Sequence, residues 1–157
     1  MKIYILLLLL FLAGCCPKQE KATGINEISL ILMDDRYLFF TINDLISTIE
    51  SSKYIERKYV GGWAARKSHI YDCYEKLLEI ASDSLWVELS YSKSPVMKYY
   101  AYNALFSKGN INSLSIRNRL IGDTSSVCTH SCDIIDCLHT LGGLILIEER
   151  YGTNTAE

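Results

Sequence analysis

An uncharged apolar run, Ile3 to Ala13, stands after Met1 and Lys2 at the head of the chain and fixes where a folded body can begin. As a helix the run covers only about 16 Å, roughly half the hydrocarbon thickness of a bilayer. It is too short for a permanent span and reads as a secretory signal. The folded body must come from the residues beyond it, and a chain of 157 residues leaves room for one domain. Charge narrows its partners. Sixteen Lys and Arg stand against 18 Asp and Glu, net −2, with no basic block. That balance argues against nucleic acid, whose phosphates need clustered cations.

Behind the apolar run stands Leu12-Ala13-Gly14-Cys15. These four residues resemble the lipobox of bacterial lipoproteins, with Leu at −3 and small residues at −2 and −1. The resemblance implies a signal peptide over 1–14, cleavage before Cys15, a diacylglyceryl thioether on its sulfur and acylation of the new amine. Two or three acyl chains, at about 0.8 kcal/mol per buried methylene, hold a protein on a membrane. Residues 15–26 then form the lipidated N-terminus and a polar tether containing Pro17 and Gly24. The expected location is lipid-anchored on a membrane. No Asp comes after Cys15, which points to the outer membrane if the cell has two.

Residues 28–40 are apolar around Asp34-Asp35-Arg36 and fit either two short strands or an irregular helix. From Thr41 the helical period is clear: Ile42, Leu45, Ile46 and Ile49 share one face, and Thr41 is available as a cap. Ser51 to Ser68 reads as an irregular connection with helical pieces, broken at Gly61-Gly62. A helix over His69 to Ala81 carries Ile70, Cys73, Leu77 and Ala81 on one stripe, and Ser82-Asp83 caps a short helix over Ser84 to Ser90. Ser94-Pro95 starts another helix, which buries Met97, Tyr100, Ala101, Ala104 and Leu105 and ends at Gly109. Leu114 to Ile121 and Asp133 to Glu149 complete the set, the last weakened by Gly142-Gly143 at about 1 kcal/mol per Gly. The expected class is all-α.

Pro95-x-Met97-Lys98-x-x-Ala101-x-x-Ala104-Leu105 is similar to the second helix of a HEAT repeat, with Met for the usual Val and Lys for the usual Arg. Leu77 to Leu89 stands where the first helix of such a pair belongs, and a weaker second pair spans Asn112 to Leu146. The resemblance implies short antiparallel helix pairs in a fragment of an α-solenoid over 27–157, with Lys98 directed to the preceding turn.

For chemistry the densest cluster is Cys128, His130, Cys132, Cys137 and His139. Three readings stay open. Thiolates and imidazoles are zinc ligands, although no CxxC is present. In an oxidising compartment Cys128–Cys132 or Cys132–Cys137 can form a disulfide. The thiols can also pack as small apolar groups. His69 and Cys73 share a helical face, but Cys73 lies on the apolar stripe, which favours a buried structural thiol. Glu148-Glu149 reads as a solvated helix end. The chain has no GxSxG, P-loop, GxGxxG or HExxH motif, so neither enzyme nor cofactor is expected.

Tyrosine is abundant, with 11 in the chain. Tyr99 and Tyr102 lie at i and i+3, away from the stripe that takes Tyr100. They are a candidate interaction face, because Tyr supplies rigid contact area with a polar tip. The competing reading places them at the core edge, hydroxyls in water. The functional expectation is a membrane-tethered, non-catalytic interaction or structural module with a protein partner in the envelope. The alternative is a thiol or zinc protein using the cysteine cluster.

Overall fold

Thr41 opens the first helix by a reciprocal cap. Its hydroxyl accepts from the Asp44 amide at 3.2 Å, and the Asp44 carboxylate accepts from the Thr41 amide at 2.8 Å. The computed structural model of the chain describes residues 40–151; the lipobox with Cys15, the tether and the undecided stretch 28–39 lie outside the described residues. Helix α1 (Ile42–Ser51) buries Leu45 and Ile49. The Ser68, Ser82 and Ser94 hydroxyls each accept a first-turn amide and so cap the next three helices: α2 (His69–Ile80), α3 (Asp83–Leu89) and α4 (Pro95–Ser107), the last with Pro at its first turn. Gly109, at φ +63°, closes α4, a conformation that a side chain would resist.

The all-α expectation fails. Between α1 and α2 the chain forms β1 (Tyr54–Val60) and β2 (Arg66–Lys67) around Gly61-Gly62, instead of an irregular connection with helical pieces. After α5 (Asn112–Leu120) come β3 (Ser126–Cys132) and β4 (Ile134–Thr140); β4 occupies the first half of the expected Asp133–Glu149 helix, of which only α6 (Leu141–Tyr151) remains. The four strands form one mixed sheet in the order β2-β1-β3-β4, with β1 and β3 parallel and the outer pairs antiparallel. Among the described residues the architecture is therefore mixed α/β, six helices with a four-stranded sheet, and not a HEAT-like solenoid. The physical reason is that β1 and β3 satisfy each other's backbone across some seventy positions of sequence, a pairing that local periodicity cannot register.

Helix α4 is the hub. It packs against α1, α3, α5, α6, β1 and β3. Val96, Met97, Tyr99, Tyr100, Ala101, Tyr102, Ala104 and Leu105 are all buried, so apolar surface covers its whole circumference. A solenoid helix would keep a wet side; a helix buried all round belongs at the centre of a domain. Lys98 also departs from expectation. It reaches Asp123, beyond the end of α5, at 2.7 Å.

Gly142 has a steric role. A Cβ there would stand 2.1 Å from the Ile121 carbonyl oxygen, while its N–H donates to the Asp123 carbonyl at 3.0 Å. Only a bare α-carbon lets the start of α6 approach the end of α5 this closely.

An aromatic cleft beside a buried ion pair

Three elements contribute to a cleft lined by aromatic rings. From α2 come Tyr71 and Tyr74, from α4 come Tyr99, Tyr100 and Phe106, and from β1 come Glu56 and Arg57. The rings form a chain: Tyr71 meets Tyr74 edge-on at 5.6 Å, Tyr74 stacks on Tyr100 at 4.7 Å, and Tyr100 meets Tyr99 edge-on at 5.5 Å. The cleft is open to solvent and has a volume of about 360 Å³, within the range of small binding sites. Asn103 and Phe106 also border a second trough of about 500 Å³, walled by Tyr102, Leu114, Arg117 and Ile145. Phe106 is half exposed on the ridge between the two.

Below the rings the polar groups hold one another. The Tyr99 hydroxyl donates to the Glu148 carboxylate at 2.8 Å, and Arg57 forms an ion pair with the same carboxylate. The Tyr100 hydroxyl donates to the Glu56 carbonyl at 2.8 Å and accepts from the Glu56 amide at 3.1 Å, inserting into β1 where its pairing with β3 shifts register. Tyr102 donates to Glu149 at 2.7 Å, and Arg117 grips Glu149 with two bonds of 2.6 Å. Burial first, then the Glu148 charge, pushes the Tyr99 phenol well above its usual range. Burial likewise raises Tyr100, and burial with the Glu149 bond raises Tyr102. Arg117 lowers Glu149. At neutral pH the three phenols are therefore neutral donors.

This geometry corrects the sequence reading of Tyr99 and Tyr102. The two do share a helix face, but that face meets α6, and each is only 3 % exposed. They form neither an outward interaction face nor a wet core edge, because their hydroxyls end on the successive carboxylates Glu148 and Glu149. Those two glutamates are correspondingly not a merely solvated helix end, and Glu148 is buried. The clue available in the sequence was arithmetic: tyrosines three apart on a central helix require acceptors, and adjacent carboxylates near a chain end can supply them.

The cysteine cluster resolves differently from either expected pairing. Cys128 is bonded to Cys137 across β3 and β4, while Cys132 is a free, exposed thiol at the end of β3, at φ +46°. Antiparallel pairing brings 128 opposite 137 and carries 132 away to the tip. His130 lies by Glu56 and Tyr54, and His139 bonds Asp136 at 3.0 Å, so Cys128, His130, Cys132, Cys137 and His139 do not converge on one point. Among the described residues no group of three or more His, Cys, Asp or Glu is placed to hold a metal ion. Cys73 is fully buried, and burial pushes its thiol up to about 11; His69, four residues before it, is exposed. No family model, curated protein or solved structure matches this chain.

Proposed function

We propose that the chain is an exported, lipid-anchored binding module of the cell envelope, without catalytic activity, whose protein partner enters the cleft between α2 and α4. Leu12-Ala13-Gly14-Cys15 supports the anchor. The Cys128–Cys137 disulfide supports an oxidising compartment, the environment that export supplies.

One observation carries the binding reading. The polar groups beneath the Tyr99 and Tyr100 rings are bonded to one another: Arg57 to Glu148, Tyr99 to Glu148, Tyr100 to the Glu56 backbone. What a visitor meets is chiefly ring surface, beside Asn103 and two carboxylates already engaged, Glu56 with Ser68 and Glu75 with Lys67. Such a surface rewards burial of an aromatic or aliphatic side chain and offers no poised base or nucleophile. Phe106, standing between both troughs, is the natural point of engagement.

The test is crosslinking on membranes, comparing the native chain with Phe106→Asp. Phe106 is half exposed, so the change charges the ridge without emptying the core. Selective loss of crosslinked species is expected. An unchanged set of partners at equal protein level would refute the cleft as the binding element. Mass spectrometry of Cys15 tests the anchor separately.

A further inference from the structure

Strands β1 and β3 run parallel, with Val60 in register with Cys132, so the β1–β2 and β3–β4 turns leave the sheet at the same end. The two turns are joined. The Gly61 amide donates to the Cys132 carbonyl at 2.5 Å, and Gly62 lies so close to Asp133 that a Cβ would fall 2.3 Å from its carboxylate. From this double tip project Trp63, wholly exposed at 107 %, and Ile134 at 67 %, with Ile135 and Tyr59 about half exposed just behind. Lys58 and Arg66 flank them and have no carboxylate partner among the described residues, whereas Lys67 is committed to Asp72 and Glu75. Asp133 is the opposing charge at the tip.

We propose that this tip is a membrane-contact surface, seating Trp63 and Ile134 in the headgroup region of an anionic bilayer. The shape is convex: two turns standing side by side present a protrusion, which suits insertion into a plane better than the capture of a peptide. The residue types agree, since Trp favours the boundary between water and acyl chains while Lys and Arg meet lipid phosphates. The proposal rests on the lipid anchor at Cys15 for its setting. Phe40 stands 25 residues after Cys15, so an acylated Cys15 keeps the body within at most about 90 Å of the bilayer. At that range even a weak surface affinity is expressed, because the encounter is intramolecular.

The experiment uses the full chain on vesicles of phosphatidylglycerol and phosphatidylethanolamine containing brominated lipid. Trp86 is fully buried, so quenching reports Trp63. The expected result is a blue shift and loss of Trp63 emission. Both effects should vanish in Trp63→Phe, and both should weaken in Lys58→Gln/Arg66→Gln and on vesicles of phosphatidylcholine alone. Trp63 emission that stays unquenched while the protein floats with the vesicles overturns the contact surface and leaves the anchor standing. Quenching retained in Cys15→Ala would support the tip independently of the anchor, and unmodified Cys15 in the native protein counts against the anchor alone.

Discussion

Replacing Gly142 by Ala tests the close approach of α6 to the end of α5. The new Cβ would meet the Ile121 carbonyl oxygen at 2.1 Å, its carbon at 2.7 Å and the Leu120 carbonyl oxygen at 2.8 Å. All three are backbone atoms, so no rotamer change relieves them, and α6 must move away from α5. Overpacking of this kind costs about 1–3 kcal/mol, against which Ala returns at most about 1 kcal/mol of helix propensity. We expect Gly142→Ala to lose about 2 kcal/mol net. Gly143→Ala is the matched control. Its Cβ meets only the Thr140 hydroxyl at 3.1 Å, a side-chain atom, so the change should be neutral or stabilise by up to about 1 kcal/mol. Urea titration reads the difference directly, and the two melting temperatures should separate by roughly 8 °C. Equal stabilities for the two variants would mean that α5 and α6 do not approach as described.

Glu148→Ala strands the Arg57 guanidinium and the Tyr99 hydroxyl together and should cost about 3 kcal/mol in urea titration, the low end for breaking a buried pair because Arg57 keeps some water contact. Tyr99→Phe removes one hydrogen bond to the carboxylate and should cost about half as much; a larger loss than in Glu148→Ala would contradict the network. Asp123 sits at about 2 rather than 3.8; burial opposes that shift, and bonds to Lys98 and Ser125 outweigh it. A lowered carboxylate pKa contributes stability that is complete above 3.8 and disappears as pH falls toward 2, here about 2 kcal/mol. Lys98→Met should forfeit a large part of it at neutral pH and flatten the acid limb of the stability profile, and an unaltered limb would sink the assignment.

Local chemistry was legible in the sequence. Thr41, Ser82 and Ser94 announce helices because a cap needs only its neighbours, and the apolar stripe of α2 is visible because it repeats on one face. Strands β1, β3 and β4 were hidden for the opposite reason. Ser126 to Cys132 is a run of Ser, Cys, Thr and His with one Val, and it becomes a strand because β1 and β4 lie on either side of it. The HEAT resemblance rested on Pro95 to Leu105, a stretch that describes how a helix packs closely and is silent about what surrounds it. The tyrosines and the cysteines drew notice as residue types, but their partners Glu148, Glu149 and Cys137 depend on register and on which helix lands where. Cross-strand geometry chose Cys137 for Cys128; spacing alone favoured nearer pairs.

The parallel β1–β3 pairing has a kinetic consequence. The four helices α2 to α5 all lie in sequence between its two strands, so the sheet cannot close until most of the chain is present. Closing a loop of that length costs roughly 2 kcal/mol more entropy than closing the adjacent β3–β4 hairpin. In refolding of the whole chain the hairpin can therefore form before β1 joins it, whereas in a chain emerging N-terminus first β1 is made early and must wait for β3.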